Sequence, residues 1–297
     1  MSQSQNSPFS ARMPSLRNQF LKWVEMVRAT LSYNTLKNYK SVVNRFLWYA
    51  QMDQPHQITS AIINNYIIKL HNDGKNNRCI QTELKCISVF CQHLVSAGFL
   101  TADPVKSVKM PKCSEAPKYC LEGDEAEQVL NTARDKDLYL EVFFALKTGM
   151  RVSEIRVCKW EDIYWQKKLI IIPKSKTHRP RAIPLHSELT KLLLPIKQKS
   201  GYIFPDKKRP EQAMSETWWA KAVKSITDEM PDVFRCGLSS RGPGRGWHRF
   251  RATVATQLAE SGASIFQIAR ILGHTNIKTT MKYITIHQSY DDVIEKL

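Results

Sequence analysis

The run Trp247-His248-Arg249-Phe250-Arg251, with Leu272-Gly273-His274 and then Thr279-Thr280-Met281-Lys282-Tyr283 behind it, organises the reading of the whole chain. His248 and Arg251 are three positions apart, so on a helix they share one face. An amphipathic stretch separates them from His274, which sits just after a helical run, and Tyr283 follows nine residues later. A tyrosine preceded by His, Arg and His at these spacings suggests a phenol set up to attack a phosphodiester.

The bulk properties agree. The chain has 297 residues, room for two ordinary domains, and 42% hydrophobic residues, enough for full-sized cores. Lys and Arg number 44 against 27 Asp and Glu, a formal net charge of +17. Such a surplus favours a polyanionic partner, nucleic acid above all. It is densest at the front: residues 1–112 hold 14 Lys and Arg and 5 Asp and Glu, whereas residues 113–297 hold 30 and 22. Seven cysteines, an odd number with no Cys-x-x-Cys pair, argue against a disulfide framework or a zinc site. Reduced thiols and a cytoplasmic location are expected, with Cys79, Cys86 and Cys91 in an apolar helical pattern that reads as core. The N-terminus is Ser/Gln-rich without the apolar run of a signal peptide. No stretch of about 18 apolar residues marks a membrane span.

Residues 1–14 read as a flexible tail. Helical spacing then links Phe20, Trp23, Val24 and Val27. It continues through Tyr39, Val42, Val43, Phe46 and Leu47, and next through Ile62, Ile63, Tyr66, Ile67 and Leu70. A last run carries Ile80, Leu84, Ile87, Phe90 and Leu94. Four helices predict a small bundle over 15–108. Asp103 to Lys112, with two prolines and three lysines, reads as extended and basic; 109–121 is the expected linker. The second domain, 122–297, is mixed. Helices are predicted over 124–133 and 136–148. Leu169–Pro173 and Arg181–Leu185 are predicted strands, with 174–180 as the turn between them. The fold class is therefore mainly α with a small β-sheet.

Strand cleavage by a tyrosine sets definite chemical requirements. The phenol, with a reference pKa of about 10, must lose its proton. Charge gathering on the non-bridging oxygens is stabilised by fixed guanidiniums. The departing deoxyribose oxygen needs a positioned acid. No metal or other cofactor is required when cations surround the phosphate, and no clustered carboxylate site is visible. The candidates are Arg151, a lysine of the 174–180 turn, His248, Arg251, His274 and Tyr283.

At these positions the chain resembles the tyrosine recombinases, the phage-integrase or Xer-like family. Thr148-Gly149-Met150-Arg151-Val152-Ser153-Glu154-Ile155 resembles the family's first arginine motif, and His248-Arg249-Phe250-Arg251 its His-x-x-Arg box. Leu272-Gly273-His274 with Thr279 to Tyr283 resembles its last motif. The likeness implies a SAM-like core-binding domain followed by an α+β catalytic domain. It implies that Arg151 and Arg251 clamp the scissile phosphate and that Tyr283 is the nucleophile, leaving a 3′-phosphotyrosyl enzyme and a free 5′-hydroxyl. It gives His248 a part in taking the tyrosine proton, has His274 bond the phosphate or support the pocket, and has Glu154 buttress Arg151. The turn lysine protonates the leaving oxygen; counting back from Arg181 and Pro184 favours Lys176 over Lys174. Rejoining then needs no ATP, and strand exchange passes through a Holliday junction. Two departures stand out: Phe250 replaces the usual Leu, and the loop before the box is rich in arginine.

Double-stranded DNA with specific recombination sites is the expected partner. Thr35, Lys37, Lys40, Arg78, Lys85, Lys174, Arg241 and Arg245 are the candidate DNA contacts. Tyr290 is a rival nucleophile, set aside because the distance from His274 to Tyr283 matches the family. The segment 284–297 is expected to dock on a neighbouring protomer, giving a homo-tetramer on synapsed DNA; a partner recombinase or a directionality factor stays open. So does the choice between integrase, transposon recombinase (a mobile-element role) and chromosome-dimer resolvase. With only about 15 residues before the first helix, no arm-binding domain is expected. Two alternatives compete: a type IB topoisomerase-like nicking-closing enzyme, and a catalytically idle DNA-binding regulator.

Overall fold

The computed structural model describes residues 15–113, 120–173, 180–234 and 245–284, without the side chains of 245 and 282–284. Lys174, Lys176, Arg241, Tyr290 and the segment from 285 onward lie outside these residues, as do the side chains of Arg245 and Tyr283. The chain divides into two compact units, Met1–Glu115 and Ala116–Leu297. Among the described residues no helix is long and apolar enough to cross a membrane.

The first unit is helical: α1 (Leu16–Arg28), α2 (Tyr33–Ala50), α3 (Ser60–Asn72) and α4 (Asn77–Ser96). Each helix starts where a short polar side chain can take an otherwise unpaired N–H. Ser15, Ser32, Thr59 and Asn76 accept from the backbones of Asn18, Thr35, Ile62 and Cys79. The apolar stripes predicted from spacing meet in one core around Trp23, Phe46, Tyr66, Ile80, Ile87 and Phe90. Cys86 and Cys91 join that core, but Cys79 is exposed, because it sits in the first turn of α4 on its outer face.

Residues 104–107 are not extended. Asp103 caps a 3-10 turn over Pro104–Ser107, accepting from the Val105 N–H at 3.0 Å and from the Ser88 hydroxyl at 2.5 Å. This turn drops Val105 and Val108 into the helical core. Two buried valines outweigh the breaker signal of the prolines. The chain beyond runs along α4, where Gln81 and Asn77 donate to the carbonyls of Pro111 and Lys112.

The second unit is built from α5 (Glu125–Asp135), α6 (Tyr139–Thr148), α7 (Val152–Val157), β1 (Ile163–Tyr164), β2 (Leu169–Ile172), β3 (Arg181–Pro184), α8 (Ser187–Leu193), α9 (Glu216–Glu229), α10 (Pro231–Phe234), α11 (Arg245–Glu260), α12 (Ile265–Leu272) and α13 (Lys278–Ile284). The strands form an antiparallel sheet in the order β1-β2-β3, with Ile172 opposite Arg181. The two-residue β1 carries too little pattern to be read from sequence. The core packs α6 against α11, with Phe144, Trp219, Trp247 and Phe250 fully or nearly buried. Phe250, the departure from the usual Leu, sits edge-on to Trp247 at 5.5 Å.

One polar cluster lies inside the first unit. The Tyr66 hydroxyl donates to Glu83 Oε2 at 2.8 Å, and Arg45 Nη2 donates to Glu83 Oε1 at 2.9 Å, tying α2, α3 and α4 together. Burial and the neighbouring carboxylate push the Tyr66 phenol well above its usual range. Replacing Tyr66 with Phe removes the donor and leaves a buried carboxylate oxygen unpaired, a loss of about 1–3 kcal/mol. Amide hydrogen exchange of α3 and α4 in the full chain should therefore speed up about 5- to 140-fold at neutral pH. Unchanged exchange there would show that the cluster does not stabilise the bundle.

Candidate active site

The site begins where α6 ends. Gly149 closes the helix in the left-handed conformation (φ 61°), and its N–H returns to the Ala145 carbonyl. A Cβ at this position would lie 2.9 Å from Leu272 Cδ2 and 3.0 Å from Val254 Cγ1, so both the dihedral and the packing call for glycine. The sharp turn sets Arg151 at the N-terminus of α7. Its backbone N–H donates to Glu154 Oε2 at 2.9 Å, the glutamate half of a capping box.

The Arg151 side chain then turns back to the same carboxylate. Nη1 lies 2.9 Å from Glu154 Oε1, and Nη2 donates to the Gly273 carbonyl at 3.1 Å. Arg251, on α11, is buried; it donates through Nη1 to the Gly149 carbonyl at 2.7 Å and through Nη2 to the Leu272 carbonyl. His248 stands one turn earlier on α11 and is exposed. Trp247 anchors that turn, its indole N–H donating to the Trp219 carbonyl at 2.9 Å.

The capping box of Ser264 and Gln267 starts α12, and Gly273 (φ 68°) stops it. The His274 N–H reaches back to the Ala269 carbonyl at 2.9 Å, the ending glycine permits. His274 Nδ1 lies 2.8 Å from the hydroxyl of Thr280, a fully buried residue of α13, which fixes the imidazole plane. The helix α13 packs against α11 and α12 and carries the backbone of Tyr283. Arg151, Glu154, Arg251 and His274 thus converge on the end of α12. His248 rides on the same helix as Arg251.

From sequence alone Arg181 is only the start of a strand and a counting mark for the lysine. It stands at the centre of the cluster, with Nη1 and Nη2 at 3.0 and 2.6 Å from the two oxygens of Glu154 and Nε on the Ile271 carbonyl at 3.0 Å. The available signal was an arginine opening an apolar strand immediately after the turn. Three guanidiniums therefore hold three successive carbonyls, those of Ile271, Leu272 and Gly273, at a helix C-terminus where the helix dipole favours cations. Burial raises the Glu154 pKa, but Arg181 and Arg151 outweigh it and hold the carboxyl below its usual value.

Of the candidate DNA contacts, Lys37 and Lys40 are exposed on α2, and Arg78 and Lys85 on α4, two helices that pack together. Thr35 is half-buried, and its hydroxyl shares a 2.9 Å hydrogen bond with Ser32 inside the α2 cap.

A carboxyl with a depressed folded-state pKa contributes stability above its unfolded value, here about 4.5, and loses that contribution as pH falls through the folded value. Glu154→Gln should lower the melting temperature at pH 7. It should also flatten the fall in melting temperature between about pH 5 and pH 3 relative to the unsubstituted chain. Parallel curves for the two proteins would count against this pairing.

Residues 120–289 match the model of the phage integrase family, and residues 16–97 match that of the phage integrase N-terminal SAM-like domain. The integrase of Escherichia phage P2 is 28% identical over 79% of this chain and 63% of its own length. The tyrosine recombinase XerD of Listeria innocua serovar 6a is 25% identical over 91% of this chain and 94% of its own length. The solved structure of the Tn1549 transposon integrase in complex with a circular intermediate DNA matches with a TM-score of 0.76 at 17% identity, covering 94% and 98% of the two chains, which is a likeness of fold. With the ordered motifs set on one helix end, and family models spanning both units, the chain belongs to the phage integrase family of tyrosine recombinases.

Proposed function

We propose that this protein is a site-specific recombinase that cuts and rejoins double-stranded DNA through a phosphotyrosine. The observation that carries this reading is the convergence of Arg151, Arg251 and His274 on the end of α12, against which the helix bearing Tyr283 packs. The Tyr283 oxygen attacks the scissile phosphorus, a P–O bond to tyrosine forms, and the bond to the 5′-oxygen breaks. His248 helps to take the phenol proton. Lys176, or Lys174 beside it, gives a proton to the departing 5′-oxygen. Arg151 and Arg251 hold the non-bridging oxygens as charge builds on them, which fixed guanidiniums do well. The 3′-phosphotyrosyl bond stores the linkage, so a 5′-hydroxyl from another duplex can reverse the attack without ATP.

Exchange between two duplexes requires four strand cuts. A single nucleophile per chain therefore calls for four chains on synapsed DNA, with a Holliday junction between the two rounds. The exposed Lys37, Lys40, Arg78 and Lys85 take DNA phosphates through the first unit, and Arg241, Arg245 and Lys174 do so in the second. Binding should weaken steeply with salt. A cytoplasmic location fits the free cysteines among the described residues.

A nicked DNA duplex from the flanks of the protein's own gene, whose cleaved fragment diffuses away, tests the chemistry. The expected result is a detergent-resistant, protease-sensitive adduct on Tyr283 that disappears in Tyr283→Phe and persists in Tyr290→Phe. An adduct mapped to Tyr290 would overturn the nucleophile. Tight, salt-sensitive binding without any adduct would favour a DNA-binding regulator.

A further inference from the structure

We infer that Arg181 is a positioning residue for the phosphate-binding arginines: it neutralises Glu154 and pins the end of α12, so that Arg151 keeps its charge for the phosphate. The inference rests on the role given to Arg151 above. It starts from how completely Arg181 is used. All three of its nitrogens are engaged: Nη1 and Nη2 form a fork on Glu154, and Nε holds the Ile271 carbonyl. Its side chain is 6% exposed, against 20% for Arg151. With Nε, Nη1 and Nη2 all committed to Glu154 and the Ile271 carbonyl, Arg181 acts through its neighbours.

Charge explains what it does there. The Glu154 side chain is 4% exposed, and both its oxygens are within 3 Å of a guanidinium. Paired with Arg151 alone, this carboxylate would form a neutral couple, and the field of Arg151 at the phosphate would be largely cancelled at short range. With Arg181 present, two guanidiniums face one carboxylate, a net charge of +1 for Arg151, Arg181 and Glu154. Arg181 takes the fork, and Arg151 touches Glu154 through Nη1 and its own backbone N–H.

Geometry adds a second link. A Cβ on Gly273 would lie 2.9 Å from both Cδ and Nη1 of Arg181, so the Arg181 side chain lies directly against the backbone just before His274. The carbonyl held by Arg181 is one residue from that of Arg251 and two from that of Arg151. Arg181 therefore fixes the height of the helix end on which both phosphate arginines rest. Lysine cannot reproduce this, because one ammonium cannot both fork a carboxylate and hold a carbonyl at right reach.

The test uses the full-length protein and the nicked duplex, with either the native phosphate or a neutral methylphosphonate at the scissile position. Single-turnover adduct formation, DNA affinity and melting temperature are measured for Arg181→Met, Arg181→Lys and Arg181→Met with Glu154→Gln. On the phosphate substrate, Arg181→Met should lose about 10- to 100-fold in rate, the scale for a group that orients a charge-stabilising residue, with DNA affinity changed less than about 3-fold. On the methylphosphonate, whose transition state has less charge to hold, the loss should shrink to less than about 3-fold. Arg181→Lys should fall in between. Adding Glu154→Gln, which removes the uncompensated carboxylate, should recover part of the rate. An equal loss on both substrates, or a further loss in the double variant, would make Arg181 a purely structural residue and overturn the inference. Should Arg181→Met fail to fold, Arg181→Lys carries the same comparison between substrates. No adduct from the unsubstituted protein on the phosphate substrate would instead remove the parent reading, and this one with it.

Discussion

Three guanidiniums hold three successive carbonyls at the C-terminal end of α12, those of Ile271, Leu272 and the capping Gly273, and the second unit depends on that arrangement. Arg181 comes from β3, Arg251 from α11 and Arg151 from the start of α7, so segments far apart in sequence meet at one helix end. Unpaired carbonyls at a helix C-terminus attract cations, and three of them in succession give three cations a shared floor. Like charges so close repel, and the Glu154 carboxylate offsets that repulsion. Desolvation of each ion costs several kcal/mol, so the cluster is a weak source of net stability. Its effect is to fix positions: a charge-assisted fork and a carbonyl bond leave each guanidinium little freedom.

The two left-handed glycines follow from the same constraint. Gly149 lets α6 end against Leu272 and turn into Arg151, while its carbonyl receives Arg251. Gly273 lets α12 end against the side chain of Arg181 and turn into His274. Each glycine allows a close approach where a Cβ would collide; Gly149 stands two residues before Arg151 and Gly273 one before His274. The Thr-Gly-Met-Arg and Leu-Gly-His motifs are thus two halves of one contact between α6, α11 and α12.

Much of this was legible in the sequence, for reasons that differ by element. The four helices of the first unit were readable because a Ser, Thr or Asn cap precedes an apolar stripe at each start, and tertiary packing agrees with both signals. The 3-10 turn at Pro104–Ser107 was not, because two prolines and three lysines say linker while Val105 and Val108 answer to a core that only the folded bundle creates. Cys79 is exposed despite its apolar pattern, because that pattern does not say where the first turn of a helix leaves its core. Arg151, Glu154, Arg251 and His274 were legible as motifs, since each stands beside a glycine, a cap or a helical repeat with its own signature. Arg181 carries no such signature. Its neighbours Glu154 and Ile271 are 27 and 90 positions away, and a strand's first residue is ordinarily a solvent-facing place for an arginine.

The same geometry links His274 to the helix that carries Tyr283. His274 is set by the end of α12 on one side and by the Thr280 hydroxyl on the other, and Thr280 belongs to α13, which carries Tyr283. The Thr280 hydroxyl reaches the imidazole while α13 is docked on α11 and α12. A hydrogen bond of 2.8 Å to a fully buried hydroxyl tolerates little sliding of that helix. Moving the tyrosine's helix out of the site would remove the hydroxyl that aligns His274, yet the bonds of the guanidinium cluster to Glu154 and to the α12 carbonyls would all remain. On the proposed mechanism, phosphate binding and nucleophilic attack draw on separable parts of the fold. The first rests on a buried ionic cluster with its own internal compensation, the second on a short helix that docks against it.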